Sequence, residues 1–482
     1  MMERHPLETI LAPRSVAFLG ASDSLLTMGT VQLYNIASGG FKGPIYPVHP
    51  KLKTVLGHKA YPSIADLPDG VDAVVMVLPT RIVPQMLEEC GKKGITRGTV
   101  ISGGFSEVGG NGRELEKQVR EVSAKYGLKF NGPNCIGVCN PNHGYNNTWF
   151  PYEGAPGPIG LASQSGTYAC HSFNHVKNLG TGFSRVVSVG NEVTLDLVDC
   201  LEYFEDDEDT KAIALYVEGI RRGRDFIRVA RRVAKKKPIV ALYVGGTEAG
   251  ARAGASHTAV LSGPDEVYEG AFEQAGVLRA ANYEQLFDWC WVLSTQPCLN
   301  GKKLGIVTNS GGPGSSFADA ANRLGLDIPP LSKELQETLR AAIPGTASPR
   351  NPVDITYAVN MQNLIMDKIP NLLLKSNEID GLLVYGLFAA DVFIKYAVGM
   401  GLDLPISNEQ MHELDEKASV KFGKIADETG KPIIGATFFT RDDDALIRRI
   451  QECGVPMLPS PERAASAMAA LYRYGRIRER LA

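Results

Sequence analysis

The chain has 482 residues, more than one ordinary hydrophobic core holds, which points to about three domains. Hydrophobic residues make up 44% and charged residues 21%, a balance that excludes wholesale disorder. With 50 Lys and Arg against 53 Asp and Glu, the formal net charge of -3 gives no argument for nucleic acid or an anionic membrane as partner.

The N-terminus, MMERHPLETILAPRS, has no cationic region followed by a long apolar stretch, so no secretory signal is expected. The longest apolar runs, such as VDAVVMVLP, fall well short of the roughly 18 residues of a spanning helix. Eight cysteines are scattered without a CxxC pair, which favours reduced, buried thiols over a disulfide framework or a metal site and suits a cytoplasmic protein.

In chain order, short β-branched runs lead into Gly-rich turns and then amphipathic stretches. SVAFLGAS, AVVMVLP and TVISGGF come first, then IGLASQSG, AIALYVEGI and PIVALYVGG, then LGIVTNSGG, GLLVYGLF and PIIGATFF. Runs apolar on both faces and alternating with helices predict an α/β fold with parallel sheets. In PDEVYEGAFEQAGV, Pro264 can start a helix, Val267, Ala271, Phe272 and Ala275 share its apolar face, and Gly276 can end it. The stretch Asn140–Pro158, rich in Asn, Gly and Pro, reads as a separator, and a second break is expected at Gln296–Lys303. The expected domains are therefore 1–150, 151–300 and 301–482, the last two being copies of one doubly wound unit, with 391–424 as an elaboration.

Four turns are candidate sites. GASDSLLTMG, Gly20 to Gly29, follows the first strand, where backbone N–H groups can approach a phosphate. It is not a GxGxxG, because Ser22 holds the second glycine position. The next strand, GPIYPVHPK, ends in Lys51 where a dinucleotide enzyme needs a carboxylate, which argues against NAD. VLPT, ISGGF and NGPNCIG add further turns to the same sheet edge, and Cys135, with no base in view, reads as a buried thiol. SQSG, Ser163 to Gly166, is a helix start suited to an anion, and lacks the GxSxG of a nucleophile elbow. NSGGPG, Asn309 to Gly314, has the same form. AGARAGASHTAVLSG, Ala249 to Gly263, is dominated by Ala and Gly around one imidazole, His257, and Glu218 ends the strand AIALYVEGI. A carboxylate on one ring nitrogen leaves the other free as a nucleophile, which suits a phosphorylated histidine and a general base alike.

Together these residues resemble the α subunit of the NDP-forming acyl-CoA synthetases (acetate–CoA ligase, ADP-forming), relatives of succinyl-CoA synthetase. SVAFLGAS, IYPVHPK, GPNCIG, SQSG, VSVGNEVTLD and YVEGI carry the likeness. It continues through TEAGARAGASHTAVLSG, IVTNSGGPG, NPVDIT and PERAASAMAALYRY, and so spans nearly the whole chain. The resemblance implies an N-terminal Rossmann-like CoA-binding domain followed by two flavodoxin-like domains. It implies CoA contacts at Gly20, Ala21, Ser22, Lys51, Val77, Pro79, Gly103, Gly104 and Asn134, with Lys51 meeting CoA phosphate. It makes His257 the phosphorylated residue and Glu218 its partner, with Gln164, Ser165 and Gly166 on the phosphoryl group and no metal on this chain.

The implied enzyme is an acid–thiol ligase that works through acyl phosphate and a phosphohistidine. Since neither an ATP-grasp domain nor a P-loop is visible, the nucleotide and its Mg are expected on a separate ATP-grasp β subunit, in an α2β2 assembly. Asn146, Trp149 and Tyr168 are candidate contacts for the acyl group, whose identity the sequence does not carry. The competing readings are a CoA-binding sensor that lost turnover and an NAD-dependent dehydrogenase. The intact His257, Glu218 and SQSG count against the first, and the broken glycine pattern and Lys51 against the second.

Overall fold

The computed structural model describes residues 4–25, 27–255, 263–356, 361–387, 390–403, 407–442 and 444–482. The chain falls into two compact units, 1–177 with 181–281 and 178–180 with 282–482.

Among the described residues, the first unit carries a two-stranded antiparallel sheet, Thr54–Val55 with His58–Lys59, and two large ones. In one, β1 (Val16–Leu19), β2 (Ile45–Val48), β3 (Ala73–Met76), β4 (Arg97–Val100) and β5 (Lys129–Asn131) are parallel and ordered β2-β1-β3-β4-β5. In the other, β6 (Val138–Asn140) and β7 (Tyr145–Asn146) precede β8 (Ile159–Ser163), β9 (Phe183–Ser188), β10 (Ala212–Val217), β11 (Ile239–Tyr243) and β12 (Leu278–Ala280). The order is β12-β11-β10-β8-β9-β6-β7, parallel from β8 to β12, with the β6-β7 hairpin joining β9 antiparallel. The strands β1, β3, β8, β10 and β11 are buried along their whole length, as strands covered on both faces must be.

Among the described residues, the second unit has one sheet, with β13 (Leu304–Thr308), β14 (Val353–Asp354), β15 (Gly381–Tyr385), β16 (Ile433–Ala436) and β17 (Met457–Leu458). Its order is β14-β13-β15-β16-β17, all parallel. Apart from the β6-β7 hairpin, the three large sheets share one order: second, first, third, fourth and fifth strand. Each therefore reverses its winding between its first and third strands, and the crevice at the carboxyl edge there is where such sheets bind ligands. The duplication expected for the last two parts extends to the first.

Within the Asn140–Pro158 stretch, Asn140, Asn146, Asn147 and Thr148 are buried. Asn147 takes the Val138 N–H on its Oδ1 at 2.6 Å and donates to the Tyr145 hydroxyl at 3.1 Å, while Asn35 donates to the Thr148 carbonyl at 2.9 Å. Side-chain amides thus satisfy the backbone of a buried turn, which composition alone reads as a loop. The second compact unit takes up the chain from Asn282 onward. Helix Tyr283–Thr295 packs on the C-terminal helix Pro461–Leu481, where Arg463 forks onto buried Asp288 at 2.7 Å and the Trp289 indole donates to Ser466 at 3.1 Å.

The helix expected after Pro264 spans Asp265–Ala275 and ends at left-handed Gly276, but Val267 is exposed. Tyr268, Phe272 and Ala275 are buried instead, because Tyr268 stacks on Tyr243 at 3.8 Å and its hydroxyl accepts the Ile220 N–H at 2.9 Å. The 391–424 elaboration contains the helix Ala390–Met400 and most of Asn408–Thr429. No helix among the described residues is long and apolar enough to cross a membrane.

Candidate functional site

The turn after β1 is shaped by Gly20. Its φ is +99°, and a Cβ there would lie 1.9 Å from the Val77 carbonyl oxygen, so the turns after β1 and β3 touch through bare backbone. Ala21 is buried and Ser22 half-buried beside it. The Ser22 N–H is already used, donating to Thr30 Oγ1 at 3.0 Å, and Thr30 returns a bond to the Ser22 carbonyl at 2.9 Å. Lys51 is exposed after β2, where its N–H and that of Leu52 donate to His49 Nδ1.

Val77 and Pro79 follow β3, while Gly103 and Gly104 follow β4; the Thr80 hydroxyl donates to the Gly103 carbonyl. Asn134 follows β5 with φ +55°, and its side chain donates to Asn191 Oδ1 at 3.2 Å. The structure thus brings Gly20, Ala21, Ser22, Val77, Pro79, Gly103, Gly104 and Asn134 to one carboxyl edge, with Lys51 at the end of the outer strand. Cys135 is buried, and burial pushes its thiol up to about 12, away from the thiolate a nucleophile needs.

In the second sheet the corresponding turn is Gln164–Gly166, leading into helix Gly166–Leu179. Ser163 Oγ donates to the Ser165 carbonyl at 2.7 Å, which rounds the turn, and Ser165 Oγ receives the Tyr168 N–H at 3.4 Å. The first-turn N–H groups of this helix have no partner within it.

Gln164 does something the sequence did not suggest. Its Oε1 accepts from the Glu218 and Gly219 N–H groups at 2.6 and 3.0 Å, and its Nε2 donates to the Gly219 carbonyl at 2.7 Å and to Glu192 Oε2 at 3.0 Å. Every hydrogen-bonding position of the amide is filled. Gln164 thus clamps the turns after β8 and β10 together.

His257 lies outside the described residues, but both roots of its segment are described. β11 ends at Tyr243, helix Glu248–Ala255 follows, and the chain returns at Gly263, whose carbonyl accepts from the Tyr243 hydroxyl at 2.7 Å. Since β11 pairs with β10, the segment leaves and re-enters beside the strand that ends at Glu218.

The candidate acyl contacts differ among themselves. Asn146 is buried with its amide tied to Thr148 and the Phe150 carbonyl, so it holds a turn rather than a ligand. Trp149 is exposed, and Tyr168 is half-buried, stacked on Tyr216 at 4.2 Å. At the third sheet, NSGGPG repeats the SQSG device: Thr308 Oγ1 donates to the Ser310 carbonyl at 2.8 Å, and Asn309 reaches the Gly386 carbonyl at 3.5 Å. Among the described residues no three His, Cys, Asp or Glu side chains converge as metal ligands.

Residues 14–141 match the CoA binding domain family, and residues 156–293 match the succinyl-CoA ligase like flavodoxin domain family. The chain is 36% identical over 477 residues to the acetate–CoA ligase (ADP-forming) I subunit alpha of Pyrococcus furiosus, covering 98% of each chain. It is 34% identical to the II subunit alpha of the same organism, over 96% of this chain and 97% of that one. Among solved structures, the Ca. Korarchaeum cryptofilum dinucleotide forming acetyl-coenzyme A synthetase 1 in complex with phosphate and ADP matches with a TM-score of 0.84 at 33% identity, covering 98% of both chains. With such identity along almost its full length, the chain belongs to the family of ADP-forming acetate–CoA ligase α subunits.

Proposed function

We propose that the chain is the catalytic α subunit of an ADP-forming acyl-CoA synthetase, an acid–thiol ligase that interconverts acyl-CoA, ADP and phosphate with carboxylic acid, CoA and ATP. CoA lies along the carboxyl edge of the first sheet, with its phosphates near Lys51 and the Gly20–Ser22 turn and its thiol end toward Gly103, Gly104 and Asn134. Phosphate sits at the helix start Ser165–Gly166, where N–H groups and the helix dipole favour an anion.

A phosphate oxygen attacks the thioester carbonyl, the C–S bond breaks, and CoA leaves as thiolate to take up a proton. A nitrogen of His257 then attacks phosphorus, the P–O bond to the acyl group breaks, and the carboxylate departs. Glu218 accepts from the other ring nitrogen, which fixes the tautomer and stabilises the ring once it is phosphorylated. Finally an ADP β-phosphate oxygen takes the phosphoryl group and the P–N bond breaks. A covalent carrier is needed because this chain holds the thioester site and a partner subunit, of ATP-grasp type with its Mg, holds the nucleotide. We assign that assembly as α2β2 and its place as the cytoplasm.

One observation carries this reading: Gln164 ties the phosphate turn to Glu218 at the edge where both roots of the His257 segment lie. The test is acetyl-CoA-dependent formation of ATP from ADP and phosphate by the chain with its partner subunit. Turnover that is lost in His257→Ala while CoA binding persists supports the assignment. CoA binding by the wild type with no turnover under any acyl-CoA makes the chain a sensor instead.

A further inference from the structure

The segment between β9 and helix Leu197–Asp206 carries two adjacent side chains that face opposite ways. Asn191 Nδ2 donates to Glu107 Oε2 at 2.7 Å and to Glu116 Oε2 at 3.2 Å, and its Oδ1 accepts from Asn134. Glu107 in turn accepts the Gly104 and Phe105 N–H groups at 2.5 and 3.1 Å. Asn191 is therefore bonded to the turn that follows β4 and to the one that follows β5, both on the proposed CoA edge.

Glu192 faces the other sheet. Its Oε2 accepts from Gln164 Nε2, its Oε1 accepts the Leu197 N–H at 3.1 Å, and Arg221 stands 3.9 Å away on the turn just beyond Glu218. Arg222, next in the chain, forks onto Asp196, with Nε 2.6 Å from Oδ2.

The backbone here is under constraint. Glu192 has φ +54°, a left-handed conformation that a side chain other than Gly, Asn or Asp seldom adopts. Its neighbour Gly190, φ +57°, lies so close to the first sheet's last turn that a Cβ would be 2.2 Å from the Pro133 carbonyl oxygen. A buried, strained glutamate is kept in such a place by the bonds around it. Burial and the nearby Asp196 charge push its carboxyl up to about 8, against the opposing pull of Gln164, the Leu197 N–H and Arg221.

We propose that Glu192 is a positioning residue for the reaction: through Gln164 it fixes the tip that bears Glu218, while the adjoining Asn191 fixes the CoA turn, so the two reacting ends are held in register. The inference rests on the functional reading above. Its consequence is that Glu192 governs the transfer steps and leaves CoA affinity alone.

The test measures kcat and KM for acetyl-CoA in the chain with its partner subunit, together with CoA binding and Tm of the chain. Since misplacing a reacting group by about 1 Å can cost up to roughly a hundredfold in rate, Glu192→Ala should lower kcat by about tenfold or more, with CoA Kd changed less than about twofold. Glu192→Gln, whose amide oxygen can still accept one of the two bonds, should recover part of kcat. Gln164→Ala should match Glu192→Ala, and the double variant should add little, because the two act as one unit. A Glu192→Ala enzyme with kcat within about twofold of wild type overturns the inference. So does a variant whose kcat, CoA affinity and Tm all fall together, which marks a residue that merely holds the fold. A wild type without turnover removes the functional reading itself, and the inference with it.

Discussion

Glu192 keeps its proton in a pH range where an ordinary glutamate has lost it. With its folded value raised from 4.5 to about 8, the folded state binds more protons than the unfolded state between those limits. Stability from this group is therefore fully present below pH 4.5 and is lost as pH rises toward 8. Against Glu192→Gln, which does not titrate, wild type should lose stability by at most roughly 1.4 kcal/mol per pH unit over that window. Tm of the two proteins followed across the range checks this, and a constant difference contradicts it.

Gly20 makes a sharper prediction. Gly20→Ala places a Cβ against the Val77 carbonyl in a left-handed conformation, which should cost about 2 kcal/mol or more and abolish CoA binding by separating the turns after β1 and β3. Unchanged CoA titration by this variant removes the first sheet's edge from the site.

Legibility at this scale was uneven. Gly20, Glu218 and Ser165 stood out because each follows a recognisable strand. The clamp made by Gln164 and the place of Glu192 are not legible in the sequence. Both depend on which strands lie side by side and on a backbone dihedral, and neither is written in local residue types.

Among elements, a buried ion pair joins the helices that close the second unit. Asp288 is 2% exposed and receives both ends of the Arg463 guanidinium at 2.7 Å. Burial holds its carboxyl above the ordinary range despite Arg463. Arg463→Ala leaves that group without its partner and should destabilise the protein by about 3 kcal/mol, read as a lower urea midpoint for the second unit. A shift within error there means that Asp288 simply takes up a proton.

The central strands were legible from their apolar runs: β1, β3, β8, β10, β11, β13, β15 and β16 all fall within the segments expected. Several outer ones were not. β5, β12, β14 and β17 have two or three residues each, too short for any periodicity, and the β6-β7 hairpin lies in a stretch whose asparagines mimic a loop. Those asparagines form bonds inside the fold, and only pairing across the sheet reveals it.

Across the whole molecule, one strand order serves three sheets, and the device at the first strand's tip recurs. A hydroxyl rounds the turn and an amide reaches across to the next strand, with Ser163 and Gln164 in one sheet and Thr308 and Asn309 in another. The sequence revealed this as SQSG and NSGGPG, but not that the first sheet shares the order, because its turn is built from Gly20 packed on backbone rather than from an amide bridge.

The chemistry assigned to this assembly depends on His257, six residues from the Gly263 root. Covalent geometry keeps the ring's backbone within about 20 Å of that root. The most direct measurement incubates the chain and its partner subunit with phosphate-labelled ATP, then treats the protein with acid and with alkali. The account predicts label on this chain that acid removes and alkali spares, and that is absent from His257→Ala although the variant still binds CoA. Label that persists in His257→Ala, or that survives acid, contradicts it.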